Sequence, residues 1–221
     1  MFEEAWKKPA AHTAKKAWIE FVQAGAGAIG DFNGLFGTSF TGFASLASDT
    51  NPRRPVNARG TALVEGWTRL VAERYFRTCA DAVRRHDQGH MILGCRFAGS
   101  APPVWDIAGR YCDIVSVNAY PRIDVERGVP AKVADVLADY RKKSGKPLAI
   151  TEWSFPALDA GLPSRHGAGM RVDTQVQRAK CFTFFQEFLF RSPATVGSDF
   201  FMYLDEPALG ISATFPEEIR K

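Results

Sequence analysis

Helix-like and strand-like segments alternate four times along this chain, and that alternation limits the folds it can adopt. Apolar residues recurring at i+3 and i+4 predict helices at 61–86, 103–111, 131–143 and 173–190. A short apolar run follows each helix and predicts a strand, at 91–97, 113–118, 147–152 and 199–203. Repeats of this kind form right-handed β–α–β units around a parallel sheet. The sequence therefore predicts an α/β fold in which the carboxyl ends of four strands meet at one edge.

The first sixty residues follow a different pattern. An amphipathic segment predicts a helix at 13–24, whereas residues 25–60 are rich in Gly, Ser, Asn and Pro and are predicted to form an irregular, loop-rich segment. Such long irregular segments often line a functional site. With 221 residues, 46% of them apolar, the chain is long enough to bury a substantial core. We therefore expect residues 1–221 to form a single domain.

Charge and hydropathy argue against two classes of partner. The net charge is only +4, and the basic residues occur in short groups without the interleaved aromatic residues typical of nucleic-acid sites. No apolar run approaches the roughly 18 residues that a membrane-spanning helix needs. Glu3, Glu4, Lys7 and Lys8 make the start of the chain too charged for a signal peptide. The sequence predicts neither a nucleic-acid nor a membrane partner.

Cysteine and histidine usage indicates neither a disulfide framework nor a metal site. Cys79, Cys95, Cys112 and Cys181 have no C-x-x-C spacing and lie in apolar runs, so we interpret them as small buried hydrophobic residues. This usage favours a reducing compartment such as the cytoplasm. The four histidines lie far apart in the sequence. No metal and no other cofactor is predicted.

One stretch places a carboxylate at the end of a predicted strand. Residues 147–154, Pro-Leu-Ala-Ile-Thr-Glu-Trp-Ser, rise from a turn signal through an apolar run to Glu152 and Trp153. In a β/α barrel, catalytic residues lie at the carboxyl ends of the strands. Taken alone, Glu152 could equally cap the loop that follows.

The other predicted strands also end in side chains suited to a polar ligand, namely Arg96, Asn118, Tyr120, Tyr203 and Asp205. Taken singly, each has a structural interpretation, such as an ion pair for Arg96 or a turn cap for Asn118. Because they follow successive parallel strands, we expect them to converge on Glu152. Aromatic rings stack on sugar faces, polar groups bind hydroxyls, and a carboxylate serves an oxocarbenium-like transition state. The set is typical of a carbohydrate site.

At four segments the chain resembles the last four strands of clan A retaining glycoside hydrolases. These segments are His90–Ala98, Asp113–Tyr120, Pro147–Trp153 and Tyr203–Gly210. The resemblance runs from about Lys15 to Ser212, and it is strongest to the family 50 β-agarases, with β-galactosidases of the same clan next. It implies a (β/α)8 TIM-barrel fold of which this chain holds about the last four β/α units, a half-barrel.

The resemblance also implies roles for the strand-end residues. Glu152 matches the nucleophile at the tip of the seventh strand, and Tyr120 matches the tyrosine that steadies it. Arg96 matches a substrate-side arginine. Asn118, Trp153, Tyr203 and Asp205 are then expected to shape the sugar subsites. The implied substrate is a β-linked galactose-containing or related polysaccharide or oligosaccharide, cleaved without a cofactor.

Two departures from the family pattern leave a second interpretation open. The acid/base carboxylate of this clan follows an Asn at the end of the fourth strand, and no strand ending in Asn-Glu precedes the match, since Glu3 and Glu4 lie in a helix-like start. Asp199-Phe200 replaces the usual His-Trp pair on the last strand. The chain is therefore either a glycosidase or a non-catalytic, carbohydrate-binding half-barrel. Its open edges could pair in a homo-oligomer, or the sequence could be part of a longer enzyme.

Overall fold

The computed structural model describes residues 1–161 and 169–202. The chain divides into two compact units, and a single domain over residues 1–221 stays a prediction. Unit 1 comprises Met1–Tyr75 and Pro102–Val104, and unit 2 comprises Phe76–Ala101 and the chain from Trp105 onward. The predicted site residues that the structure describes, Arg96, Asn118, Tyr120, Glu152 and Trp153, belong to unit 2.

Unit 1 is helical and is built around buried aromatic rings. Its helices are α1 (Phe2–Trp6), α2 (Thr13–Ala26), α3 (Ile29–Phe36), α4 (Phe43–Ser48) and the first part of α5 (Ala58–Arg84). The rings of Trp18 and Trp67 meet edge to face at 5.3 Å, and those of Phe32 and Phe36 stack at 4.6 Å. Aromatic side chains bury large apolar areas, so this cluster stabilises unit 1.

Residues 25–60 are not the irregular segment that their composition predicts, because α3 and α4 lie within them. Phe32, Phe36 and Leu46 are almost fully buried in the core of unit 1. Their burial outweighs the low helix propensity of the glycines in α3. Gly37 then ends α3 in the left-handed conformation (φ 62°), which glycine adopts without steric cost.

Unit 2 contains a parallel sheet of four strands, β1 (Phe97–Ala98), β2 (Val115–Asn118), β3 (Leu148–Trp153) and β4 (Thr195–Phe200). Each strand pairs with its neighbour in sequence, so the order is β1-β2-β3-β4. The connections carry α6 (Trp105–Tyr111), α7 (Ala131–Ser144) and α8 (Gln175–Arg191), with a short 3₁₀ helix at Leu158–Ala160. The α/β class with a parallel sheet is confirmed, and closure into an eight-stranded barrel stays a prediction.

The first strand is much shorter than the predicted 91–97. Gly94 (φ 82°) and Arg96 (φ 50°) both have positive φ, which interrupts an extended backbone. The carbonyls of Ile92 and Leu93 still accept hydrogen bonds from the Asp113 and Ser116 amides, at 2.9 and 3.1 Å. The segment before β1 therefore lies beside β2 but is kinked.

The last strand begins four residues earlier than the predicted 199–203. β4 is the outermost strand on its side of the described sheet, and most of its residues are exposed or half-buried. An apolar run identifies strands that are buried on both faces, so the polar residues Thr195 and Ser198 gave no such signal.

The four cysteines are free thiols, but they are not all buried as the sequence predicts. Cys112 and Cys181 are buried, and burial raises the pKa of the Cys112 thiol to about 11. Cys79 and Cys95 are exposed. The prediction fails for them because apolar neighbours in sequence do not decide which face of an element a residue occupies. In the part of the chain that the structure describes, no helix is long and apolar enough to cross a membrane.

Candidate functional site

Glu152 lies near the carboxyl end of β3, in the middle of the sheet. Leu148, Ala149 and Ile150 are buried and pair on both sides with β2 and β4, as expected of a central parallel strand. The strand then brings Glu152 beside Asn118 at the end of β2. The side chain of Glu152 is 20% exposed, so the carboxylate is partly shielded but still reachable from solvent.

Both oxygens of the Glu152 carboxylate are held by side chains from other segments. The Tyr120 hydroxyl donates a hydrogen bond to Oε2 at 2.8 Å. The Arg96 guanidinium donates to Oε1 and forms an ion pair with it. Hydrogen bonds and ion pairs to an ionised carboxylate are stronger than those between neutral groups. The carboxylate is therefore oriented by two independent contacts.

Tyr120 reaches Glu152 because the chain after β2 stays close to β3. The Ala119 amide donates to the Glu152 carbonyl at 2.8 Å, which places Tyr120 directly after this contact. Gly169 lies against the tyrosine, and a Cβ atom built on it would be 3.0 Å from Tyr120 Cδ1. Gly169 also has φ 91°, so its lack of a side chain serves both its backbone conformation and the packing of Tyr120.

Arg96 reaches Glu152 from the kinked segment before β1. Its backbone amide donates to Ser116 Oγ on β2 at 3.0 Å, and the same hydroxyl donates to the Leu93 carbonyl at 2.7 Å. Sequence reasoning missed Ser116. The signal was one polar residue in the otherwise apolar run Ile114–Val117.

Asn118 lies close to Glu152 but contacts a different side chain. Its Oδ1 accepts a hydrogen bond from Thr151 Oγ1 at 3.2 Å, and the residue is half-buried. Asn118 is also the partner of Glu152 in the register of β2 and β3, so both residues lie at the same edge of the sheet.

Trp153 does not occupy the position expected of a sugar-stacking residue. It is 1% exposed, and its ring packs at 5.1–5.2 Å from the rings of Phe182, Phe185 and Phe200. Successive side chains of a strand point to opposite faces, so a residue next to the solvent-reachable Glu152 is directed into the core. The structure thus places Trp153 in the aromatic core, and its role in substrate binding stays a prediction.

Three further sequence predictions concern other residues. Tyr203 and Asp205 lie outside the described residues. Glu4 pairs with Lys7 at 2.9 Å on α1, and Glu3 lies 3.9 Å from Arg54, so both belong to the surface of unit 1. Among the described residues, no group of three or more His, Cys, Asp or Glu side chains is arranged to hold a metal ion.

Comparison with known proteins adds sequence relatives. The chain is 27% identical to β-agarase B from Vibrio sp. (strain JT0107) over 199 residues, which are 89% of this chain and 20% of the agarase. It is 28% identical to β-agarase A of the same strain over 203 residues, 89% of this chain and 19% of that protein. The chain thus spans about a fifth of the length of these relatives. No family model matches it.

Solved structures of agarases share the fold. An exo-β-agarase superimposes with a TM-score of 0.77 over 98% of this chain and 28% of its own, at 24% identity. A second agarase superimposes with a TM-score of 0.72 over 92% of this chain and 28% of its own, at 25% identity. The α/β architecture with a parallel sheet therefore occurs within larger glycoside hydrolases.

Proposed function

We propose that this chain forms the nucleophile-bearing part of a retaining glycoside hydrolase that cleaves β-linked galactose-containing polysaccharide. The observation that carries the proposal is the carboxylate of Glu152, held on both oxygens by Tyr120 and Arg96 at the carboxyl edge of a parallel sheet. The similarity to β-agarases over 89% of the chain supports the reaction class and the galactose-containing substrate.

In the proposed mechanism, Glu152 attacks the anomeric carbon while the glycosidic C–O bond breaks, and the acid/base carboxylate protonates the leaving sugar oxygen. Water, which gives up a proton to that same carboxylate, then displaces Glu152 from the anomeric carbon and releases the sugar. The hydrogen bond from the Tyr120 hydroxyl keeps the Glu152 carboxylate in one orientation. Arg96, whose side chain is 51% exposed, stabilises the carboxylate when it leaves in the second step and can also bind a sugar hydroxyl. Asn118 contributes a further polar group at the same edge. We propose Tyr203 and Asp205 as substrate-binding residues from their places in the sequence.

Retaining chemistry also needs an acid/base carboxylate about 5–5.5 Å from the nucleophile. Glu3 and Glu4, the candidates in the sequence before the four motifs, are engaged by Arg54 and Lys7 in unit 1. We propose that this carboxylate comes from another segment, either the remainder of a longer protein or a second chain. The sheet is compatible with such a supplement, because β1 and β4 are the outermost strands of its described part.

We propose on the same grounds that the four strands are consecutive strands of a (β/α)8 barrel. The parallel pairing in sequence order is what a barrel segment requires, and the helices between the strands match its repeating unit. Four more strands would give β1 and β4, the outermost strands of the described sheet, a partner on each side.

The second candidate function is a non-catalytic carbohydrate-binding or self-assembling half-barrel. The outer strands β1 and β4, which have no further partner strand among the described residues, favour it, because an open parallel edge is a surface for association with another chain. In that case Glu152, Tyr120 and Arg96 bind a sugar without cleaving it.

Hydrolysis of a panel of β-galactosides, β-glucosides and agarose separates these functions. We expect the wild-type chain to turn over an aryl β-galactoside, whose good leaving group needs little acid assistance, and agarose only when the acid/base carboxylate is supplied. We expect a loss of at least about a thousandfold in Glu152→Gln, whose amide cannot act as a nucleophile. Glu187→Gln is the matched control, because Glu187 is an exposed carboxylate on α8 that pairs with Arg191 at 3.3 Å. Sugar binding without turnover in the wild-type chain favours the second function. Equal turnover by Glu152→Gln and wild type contradicts the first.

A further inference from the structure

The segment before β1 has an uncommon backbone conformation at a residue of the proposed site. Arg96 has φ 50°, a left-handed conformation that non-glycine side chains rarely adopt. Gly94, two residues earlier, also has positive φ (82°). Strained backbone persists where surrounding contacts hold it in place, and such residues concentrate at functional sites.

The contact that holds this kink is the hydroxyl of Ser116. Ser116 is 1% exposed on β2, and its Oγ both accepts from the Arg96 amide at 3.0 Å and donates to the Leu93 carbonyl at 2.7 Å. One hydroxyl thus joins both sides of the kink to the centre of the sheet. Burying a hydroxyl lowers stability unless the hydroxyl is hydrogen-bonded. Here the Ser116 hydroxyl both accepts and donates a hydrogen bond.

The backbone of β2 does not need this hydroxyl. The Val115 amide donates to the Pro147 carbonyl at 3.0 Å, and the Ser116 amide donates to the Leu93 carbonyl at 3.1 Å. Alanine or valine at position 116 can form the same backbone bonds. Of the two hydrogen bonds made by the side chain, the bond to the Leu93 carbonyl adds to a backbone bond at the same atom, whereas the other joins β2 to the amide of Arg96, whose guanidinium contacts Glu152.

We propose that Ser116 is a positioning residue of the site. It holds the kink at Gly94–Arg96 so that the Arg96 guanidinium reaches Oε1 of Glu152. Ser116 itself touches neither Glu152 nor, in this proposal, the substrate. The effect of Ser116 on activity rests on the proposed hydrolase function, whereas its effect on the position of Arg96 does not depend on that function.

The activity test is a double-mutant cycle between Ser116→Ala and Arg96→Ala. If Ser116 acts through Arg96, Ser116→Ala lowers kcat/KM for an aryl β-galactoside by about tenfold, the factor expected for losing one hydrogen bond. In the Arg96→Ala background, the same change has an effect of less than about twofold, because the group it positions is gone. Equal effects in both backgrounds overturn the proposal.

Ser144→Ala is the matched control. Ser144 is also a buried serine of unit 2 (7% exposed), and its Oγ accepts from the Lys146 amide at 3.3 Å and donates to the Arg141 carbonyl at 3.3 Å. It lies at the opposite end of β3 from Glu152. We expect Ser144→Ala to retain wild-type kcat/KM even if it lowers the thermal midpoint as much as Ser116→Ala does.

A second measurement does not depend on turnover. In the wild-type chain, the side-chain N–H signals of Arg96 observed by nuclear magnetic resonance are expected to be protected from exchange, as for a guanidinium held on a carboxylate. We expect this protection to be lost in Ser116→Ala and kept in Ser144→Ala. Retained protection in Ser116→Ala overturns the proposal. A chain without turnover that shows the expected loss refutes only the hydrolase activity.

Discussion

The hydroxyl of Tyr120 is one of the two contacts that limit the freedom of the Glu152 carboxylate. It is a neutral donor on Oε2, at 2.8 Å, whereas the charge on Arg96 acts at Oε1. A carboxylate fixed at both oxygens loses little conformational freedom when it attacks a bound sugar. At the scale of single residues, the orientation of Glu152 is therefore the property that mutation should change first.

Replacing Tyr120 by Phe removes this hydrogen bond and keeps the ring. We expect kcat/KM to fall by roughly tenfold to hundredfold, the range for a hydrogen bond to a charged group. Tyr140→Phe is the control, because the Tyr140 hydroxyl donates to the Gly99 carbonyl at 3.1 Å rather than to Glu152. Unchanged kinetics in Tyr120→Phe would show that the hydroxyl does not orient the nucleophile.

The sequence predicts the positions of Glu152, Tyr120 and Arg96 near one sheet edge because the ends of parallel strands converge. The same logic fails for Trp153, whose side chain follows Glu152 by one residue and so points to the opposite face, into the aromatic cluster. It also misses Ser116, because a hydroxyl that acts through a neighbouring backbone leaves no motif.

At the scale of elements, one buried lysine links two helices of unit 1 to a third. Lys15 of α2 is fully buried, and its Nζ donates to the Trp6 carbonyl at 2.6 Å and to the Asp49 carbonyl. It thereby joins the end of α1 to the end of α4. Composition could not predict this arrangement, because residues 43–48 have no strong helix signal and the partners of Lys15 are backbone carbonyls distant in sequence.

The buried ammonium group makes a prediction about pH. Burial lowers the pKa of Lys15, and the Asp49 carboxylate opposes this shift only partly. Between the lowered pKa and the ordinary value of about 10.4, Lys15 binds more protons in the unfolded chain than in the folded chain. The contribution of Lys15 to the free energy of unfolding therefore rises with pH in this range. We expect the free energy of unfolding of wild type, relative to Lys15→Met, to increase as the pH is raised through this window.

Urea denaturation at a series of alkaline pH values measures this difference. Lys16→Met is the control, because Lys16 is the exposed neighbour of Lys15 on the same helix. A difference that is flat with pH, or that falls, would contradict the assignment of Lys15 as the buried, destabilised ammonium.

The strands show the same division between what is readable from sequence and what is not. β2 and β3 lie close to their predicted ranges because they are buried apolar runs. β1 and β4 depart from theirs, since β1 is cut short by the kink at Gly94–Arg96 and β4 is an outer strand with polar residues. Apolar patterning therefore locates the centre of this sheet better than its edges.

At the scale of the whole molecule, the chain has the fold of one segment of an agarase and about a fifth of the length of its sequence relatives. The proposed nucleophile lies in this segment, whereas the proposed acid/base residue comes from elsewhere. Protonation of the leaving group matters least when the leaving group is already a weak base. An activated substrate can therefore test the nucleophile without the acid/base partner.

The most direct test is to trap the covalent intermediate. A 2-deoxy-2-fluoro-β-galactoside with a good leaving group is incubated with the wild-type chain, and the labelled peptide is identified by mass spectrometry. We expect one fluorogalactosyl group to be attached to Glu152 and none to be taken up by Glu152→Gln. Attachment to a different carboxylate, or no attachment to a chain that binds the galactoside, would contradict the assignment of Glu152 as the nucleophile.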